Sequence, residues 1–199
     1  PIKTILNTYM AGAPAMYVFK IVLIGDGAVG KSTLRKRFMG KTFDATYIMT
    51  VGADFAAKIM EVDGETVKFV IWDLAGQPHF REVRASFYKG ARGALVVYDI
   101  ARRKTYENVL SWVNEFLKNV ERRDVAVVLV GNKVDLRGEG GSMISEEEGL
   151  RLRDAIEEKF GIPVSFIETS AKTGENVEEA FCTLARELLK KAKERSRIP

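Results

Sequence analysis

Runs of consecutive apolar residues alternate along the chain with segments in which apolar residues recur at helical spacing. The first run, 18–24, is followed by a helix pattern at 31–39. Two later runs, 93–100 and 125–131, are apolar throughout, which is typical of strands covered on both faces. Because strand and helix patterns alternate, the sequence predicts an α/β fold with a largely parallel sheet.

One pair of strands departs from the parallel arrangement. The segments 55–62 and 66–74 flank Asp63-Gly64, a dipeptide that favours a tight hairpin between two antiparallel strands. We therefore expect a mostly parallel six-stranded sheet with one antiparallel strand and helices on both faces.

The remaining elements follow from apolar spacing and from helix-capping residues. Ser145 with Glu148 three residues later is a capping box, which predicts a helix from there to about Phe160. The other predicted elements are a short helix at 81–88, a helix at 105–121, a strand at 164–167 and a final helix from Asn176.

Length and composition indicate a soluble, globular protein of one main domain, and we expect it to be cytoplasmic and monomeric. The chain has 199 residues, of which 46% are hydrophobic and 29% charged. No apolar run approaches the roughly 20 residues that a membrane helix needs. The single cysteine, Cys182, excludes an internal disulfide, and its place in a helix pattern predicts a buried, unreactive thiol.

The formal charge of +4 is concentrated at the end of the chain, where six basic and two acidic residues follow Ala185. Since the rest of the chain is neutral overall, we expect no nucleic-acid partner. We divide the chain into an N-terminal extension (1–16), one domain (17–190) and a basic tail (191–199).

The loop after the first strand has the pattern G-x-x-x-x-G-K-[ST], which binds phosphate through backbone N–H groups at the start of a helix. Glycine allows the close approach of backbone to phosphate, Lys31 adds a charge, and the Ser32 hydroxyl can bind Mg²⁺. The predicted phosphate-binding residues are Asp26, Gly27, Ala28, Val29, Gly30, Lys31, Ser32 and Thr33.

A second motif, D-x-x-G, closes the strand that ends near residue 74. Asp73 can hold the Mg²⁺ shell, and Gly76 lets its N–H approach a terminal phosphate. Gln77 can orient an attacking water. Together with the phosphate loop, this motif predicts a site for nucleoside triphosphate and Mg²⁺.

A third motif, N-K-x-D, follows a buried strand and predicts recognition of guanine. The Asp135 carboxylate can accept two hydrogen bonds from the ring N–H and amine of guanine, a donor pair that adenine lacks. The loop 170–172 offers a backbone N–H for the guanine carbonyl and a lysine stem beside the base. The predicted base-binding residues are Asn132, Lys133, Asp135, Ser170, Ala171 and Lys172.

With these motifs in order, the chain resembles a small GTPase of the Ras superfamily over about residues 17–190. The resemblance implies that Phe43 packs on the base, Tyr47 lies over the phosphates and Thr50 binds Mg²⁺ and the γ-phosphate. It implies catalytic roles for Gln77, Lys31 and Thr50, and metal ligation by Ser32, Thr50 and Asp73. Effectors, an exchange factor and a GTPase-activating protein would bind two switch regions, 42–52 and 75–90.

Within that superfamily, 47–55 is similar to Rab proteins and the phosphate loop to Rho proteins. The short spacing between Asp135 and Ser145 leaves no room for the helix that Rho proteins insert, so the chain is Rab-like. Unlike Rab proteins, the chain has Pro78 after Gln77. The proline predicts an extended backbone at Gln77, and this conformation affects how readily the Gln77 side chain reaches the attacking water. The chain also has no cysteine near its end for prenylation, so we expect at most weak or partner-mediated membrane contact if the chain is complete.

Our main hypothesis is a GTP/GDP switch that hydrolyses GTP slowly in Rab-like trafficking or signalling. The alternative is a GTP-binding assembly module with little hydrolysis. An ATP-dependent enzyme with the same phosphate loop is disfavoured by Asp135.

Overall fold

The structure, a computed structural model, describes residues 16–43, 50–122, 124–138 and 141–196. Its strands are β1 (Met16–Ile24), β2 (Ala53–Val62), β3 (Glu65–Leu74), β4 (Gly93–Asp99), β5 (Ala126–Asn132) and β6 (Val164–Thr169). Its helices are α1 (Lys31–Phe38), α2 (Arg81–Tyr88), α3 (Arg103–Glu107), α4 (Val109–Asn119), α5 (Glu146–Phe160) and α6 (Val177–Ser196), with 3-10 turns at Pro78–Phe80 and Val134–Leu136.

The six strands form one sheet in the order β2-β3-β1-β4-β5-β6. Only β2 and β3 pair antiparallel, and the other neighbouring strands are parallel. The hairpin between β2 and β3 turns at Asp63 and Gly64, whose φ angles of 51° and 79° are both positive, as a two-residue hairpin requires. The prediction of a mixed, mostly parallel sheet is confirmed.

Helices cover both faces of the sheet, because its central strands are apolar on both sides. On one face α1 and α6 pack together, with the rings of Phe38 and Phe181 stacked 3.8 Å apart. The other face carries residues of α2, α4 and α5 in a second apolar cluster. This arrangement holds the carboxyl ends of the parallel strands at one end of a rigid sheet.

The helix predicted at 105–121 is instead two helices, α3 and α4, which meet at Asn108. The backbone of Asn108 stays in the helical region (φ −78°, ψ −10°), while its side chain donates a hydrogen bond to Asp26 Oδ2 at 2.7 Å. The sequence prediction missed this boundary because the apolar spacing runs through it without interruption.

The structure also tests two local predictions, the capping box at Ser145 and the burial of Cys182. The capping box is present: Ser145 Oγ accepts from Glu148 N–H, and Glu148 Oε2 accepts from Ser145 N–H. Cys182 is partly rather than fully buried, and burial raises the pKa of its thiol.

Most of the predicted extension (1–15) and the tail end (197–199) lie outside the described residues. None of the described helices is long and apolar enough to cross a membrane.

Candidate nucleotide-binding site

Four loops that follow β1, β3, β5 and β6, together with Phe43 and Thr50 from the segment between α1 and β2, line a cavity of about 600 Å³ at the carboxyl ends of these strands. Ligands of parallel α/β sheets bind at this position. The predicted residues that line it are Gly27, Ala28, Gly30, Lys31, Ser32, Thr33, Phe43, Thr50, Gly76, Gln77, Asn132, Lys133, Asp135, Ala171 and Lys172. Motifs that are far apart in the sequence therefore meet in one cavity.

The backbone of the phosphate loop has a conformation that only glycine accommodates at two positions. Gly25 and Gly30 have φ angles of 136° and 103°. A Cβ at Gly25 would lie 2.1 Å from Val97 O, and one at Gly30 would lie 2.2 Å from Asn132 Nδ2. Gly30 is also the N-cap of α1, and as a glycine it has no side chain with which to cap this helix end. The first N–H groups of α1 are therefore suited to binding an anion.

Lys31 is the cation at the centre of the phosphate loop. Its ammonium group donates to Gly25 O and Asp26 O, both at 2.8 Å, and the residue is 6% exposed. Burial lowers the pKa of Lys31 to about 8, against the opposing effect of Asp73 and Asp26. A phosphate group in the cavity would give this buried charge the anionic partner that carbonyl oxygens only partly replace.

Two residues of the phosphate loop can offer only backbone groups to the cavity, because their side chains are held elsewhere. The Asp26 carboxylate accepts hydrogen bonds from Asn108 Nδ2 and Trp112 Nε1, both at 2.7 Å, and so faces α4. Val29 is fully buried in the core against α1 and α6. These contacts explain why the loop keeps its shape: both ends of it are anchored to the helices on opposite faces of the sheet.

Oxygen atoms from three segments meet beside Lys31. The Ser32 and Thr50 hydroxyls lie 2.9 Å apart. Asp73 is fully buried, and neither of its carboxylate oxygens accepts a hydrogen bond from any described residue. Burial raises the pKa of Asp73, and the nearby Ser32 hydroxyl and the charges of Lys31 and Arg35 oppose this rise. A buried carboxylate in need of a cation, with hydroxyls nearby, fits Mg²⁺, which prefers oxygen ligands.

Gly76 and Gln77 bring the end of β3 against the phosphate loop. A Cβ at Gly76 would lie 2.4 Å from the Asp26 carbonyl carbon and 2.5 Å from Gly27 N, so only glycine fits there. The Gln77 backbone is extended (φ −83°, ψ 143°), as Pro78 predicts. The side-chain Oε1 of Gln77 is buried and has no hydrogen-bond partner in the described part of the chain. This oxygen can accept a hydrogen bond from a water molecule in the cavity.

The backbone at Gln77 is held by Arg84, a residue that sequence reasoning did not single out. Arg84 is 2% exposed, and its Nη1 donates to Gln77 O at 2.7 Å and Ala75 O at 3.0 Å. Its Nε and Nη2 donate to the two carboxylate oxygens of Glu115 at 2.8 and 3.0 Å. The segment that carries Gln77 is thereby fixed to α4.

Asn132 connects the loops at the base end of the cavity. Its Nδ2 donates to Val29 O at 2.8 Å, and its Oδ1 accepts from Thr169 Oγ1 at 3.0 Å and Ala171 N–H at 3.1 Å. The side chain therefore joins the phosphate loop to the end of β6. Its function in this geometry is to position both loops.

The remaining base-end residues surround Asp135. Its Oδ1 accepts from Ser170 Oγ at 2.5 Å, and its Oδ2 lies 3.7 Å from Lys172 Nζ. Lys133, with a positive φ of 76°, places its ammonium 2.7 Å from Asp99 Oδ2. The Phe43 ring lines the same cavity, whereas Tyr47 lies outside the described residues. A carboxylate held in this way can accept two hydrogen bonds from a bound base.

The arrangement separates chemically into two ends. One end offers uncapped helix N–H groups, a lysine and metal-type oxygens, and the other offers a carboxylate beside a lysine stem and an aromatic ring. In the sequence, Arg84 and Glu115 stand out only as charged residues on otherwise apolar helix faces. No local sequence pattern predicts that they pair with each other across two helices.

Comparison with known sequences agrees with this geometry. The sequence model of the Ras family matches residues 20–190. The chain is 45% identical to Ras-related protein RIC1 of Oryza sativa subsp. japonica, over 86% of this chain and 81% of the relative. It is 43% identical to Ras-related protein Rab-8B of Homo sapiens and of Pongo abelii, over 88% of this chain and 80% of each relative. The chain thus belongs to the Ras family, as a Rab-like small GTPase with a GTP-binding switch fold.

Proposed function

We propose that this protein binds GTP and GDP with Mg²⁺ in the cavity, hydrolyses GTP slowly and acts as a switch in Rab-like trafficking or signalling. The observation that carries the proposal is one cavity lined by both Lys31 and Asp135, with the buried Asp73 carboxylate near Lys31. Asp135 suits the donor pair of guanine, and Asp73 suits the metal that accompanies a polyphosphate. An adenine nucleotide would leave the Asp135 carboxylate without its donors.

At the phosphate end, the chain supplies groups that can stabilise the charge of phosphoryl transfer. Lys31 and the N–H groups at the start of α1 would bind the phosphates, and Ser32, Thr50 and Asp73 would hold Mg²⁺. When bound, Mg²⁺ neutralises charge on the phosphate oxygens. Gln77 Oε1 would accept a hydrogen bond from the attacking water and so orient it. Family members without an activating partner hydrolyse GTP at rates on the order of 10⁻⁴ s⁻¹.

An exposed apolar surface beside the switches supports a role in partner binding. Phe55 is 63% exposed, and its ring lies 5.4 Å from Trp72, which in turn lies 4.9 Å from Phe87. Val51, just before β2, and Ile59, on β2, are also exposed. Since Phe87 belongs to α2, a change of the second switch would alter the surface that effectors, an exchange factor or an activating protein contact.

The test of hydrolysis is single-turnover release of γ-phosphate from protein loaded with GTP and Mg²⁺. We expect a slow, single-exponential release that Gln77→Leu reduces at least tenfold, because leucine cannot orient the water. Binding of GDP should remain unchanged in the variant, which shows that the site is intact. Near-zero and equal rates in both proteins would rule out the enzymatic proposal.

Equal, near-zero rates of γ-phosphate release would favour a GTP-binding assembly module instead. In that case the GTP and GDP forms should still differ in the partners they retain, and the extended Gln77-Pro78 backbone would explain the lost turnover.

A further inference from the structure

Arg35 is a buried cation that the proposed binding and hydrolysis steps do not use. The residue is 9% exposed, and its Nη2 donates to Asp54 Oδ2. Its Nε lies 3.8 Å from Asp73 Oδ2 and donates to no described residue. The guanidinium therefore lies between two carboxylates, one of which is the proposed metal ligand.

The helix itself explains why the guanidinium reaches Asp73. Arg35 follows Lys31 by four residues and Ser32 by three, so all three lie on the same face of α1. That face is directed at the end of β3, where Asp73 is fully buried. α1 thus presents two cations to a single carboxylate.

Asp54 alone does not account for the burial of this arginine. The Asp54 side chain is 58% exposed, so water can solvate its charge, and Asp54 Oδ1 also accepts from the Phe55 N–H. Asp73 is in the opposite situation, because its side chain is 1% exposed and no described residue donates to it. A buried charge costs more free energy than an exposed one, so Asp73 gains more from the arginine.

We propose that Arg35 is an internal counter-ion of Asp73 that weakens Mg²⁺ binding and thereby makes GDP release less dependent on removal of the metal. The inference rests on the proposed GTP/GDP and Mg²⁺ site. Because the guanidinium already offsets part of the carboxylate charge, Mg²⁺ gains less when it enters. Arg35 is a positioning residue in this account, since it acts through Asp73.

The experiment follows release of a fluorescent N-methylanthraniloyl GDP analogue over a buffered series of free Mg²⁺ concentrations. We expect Arg35→Gln to lower the Mg²⁺ concentration at which release is half slowed by about tenfold, which corresponds to about 1.4 kcal/mol. Arg35→Lys keeps the charge and should stay close to the wild type. A midpoint that is unchanged or higher in Arg35→Gln would overturn the proposal.

Two controls separate the Asp73 interaction from other effects of the substitution. Lys104→Gln removes a positive charge whose side chain is 77% exposed, and it should leave the midpoint unchanged. Asp54→Asn removes the other partner of Arg35, and because Arg35 still faces Asp73, the midpoint should not fall. A fall in Asp54→Asn would assign the effect to the Arg35–Asp54 pair and contradict the proposal.

A second measurement does not depend on nucleotide release. The melting temperature of the GDP-bound protein should be higher in excess Mg²⁺ than in EDTA. This difference should be larger for Arg35→Gln than for the wild type. If Arg35→Gln folds poorly, Arg35→Met serves as the variant of similar length. Wild-type protein that shows no GDP binding or no Mg²⁺ dependence would contradict the proposed function, whereas equal Mg²⁺ dependence in wild type and variant would contradict only the role of Arg35.

Discussion

At the scale of single residues, selectivity for the base depends on the Asp135 carboxylate and on the groups that hold it. Ser170 donates to one of its oxygens, and Lys172 lies near the other. These contacts fix the direction of the carboxylate before a base enters. The sequence motif identifies the acid, and the structure shows what orients it.

We predict that Asp135→Asn lowers the affinity for GDP by about 1 to 3 kcal/mol and shifts preference toward xanthosine diphosphate. An asparagine amide can donate to the 2-carbonyl of xanthine but cannot accept two hydrogen bonds from guanine. Competition between the two nucleotides, followed by fluorescence, measures the shift. Unchanged GDP binding in Asp135→Asn would contradict the proposed base recognition.

Asn132 is a second residue whose function depends on its contacts. Its N-K-x-D position predicts a nucleotide-binding residue, and in the structure its side chain donates to Val29 O and accepts from Thr169 Oγ1 and Ala171 N–H. An effect of Asn132 on nucleotide affinity would therefore pass through the two loops that it joins.

At the scale of elements, α2 and α4 are connected by a buried ion pair that also holds the Gln77 backbone. Arg84 contacts both carboxylate oxygens of Glu115, and the Tyr88 hydroxyl donates to Glu115 Oε1 at 2.8 Å. The Arg84 guanidinium lies over the Trp112 ring at 4.4 Å, and Trp112 in turn donates to Asp26 in the phosphate loop. The second switch and the phosphate loop thus share one support on α4.

We predict that Arg84→Met lowers the free energy of unfolding by about 3 to 5 kcal/mol, because Glu115 then stays buried without its guanidinium. Urea unfolding of the nucleotide-free protein measures the change. The double variant Arg84→Met/Glu115→Leu should lose less than the sum of the two single variants, since no uncompensated charge remains.

Arg81→Met on the same helix is the matched control. The Arg81 side chain is 69% exposed, with its Nε 3.5 Å from Glu115 Oε2, and exposed ion pairs contribute about 0 to 1 kcal/mol. If Arg84→Met were no more destabilising than Arg81→Met, the buried ion pair would not support α2 in the way we infer.

At the scale of the whole molecule, the cavity joins loops from strands that are distributed along the chain between β1 and β6. A ligand that fills this cavity would contact several of these loops at once, and it would bind only the folded protein because the loops meet only there. Its binding free energy therefore adds to the stability of the whole domain.

We predict that GDP with Mg²⁺ at a hundred times its dissociation constant stabilises the protein by about 2.7 kcal/mol. The melting temperature should rise with GDP concentration, and removal of Mg²⁺ by EDTA should reverse part of the rise. ADP at the same concentration should have little effect. Equal stabilisation by ADP and GDP would mean that Asp135 does not select the base.

Much of the architecture could be predicted because it depends on local signals. Apolar runs indicate strands, Asp63-Gly64 indicates the hairpin, and Ser145 with Glu148 indicates the start of α5. The boundary between α3 and α4 at Asn108 could not be predicted, because its side chain contacts Asp26, 82 positions earlier in the sequence.

The sequence by itself determined the α/β class, the phosphate, metal and base motifs and the extended backbone at Gln77, since each depends on residues close together in the chain. The tertiary structure decided which charges face each other. Arg35 lies between Asp54 and Asp73, and Arg84 joins Glu115 to the backbone of Gln77. Such pairs form when helices pack on a sheet, and residues far apart in sequence carry no local pattern that links them.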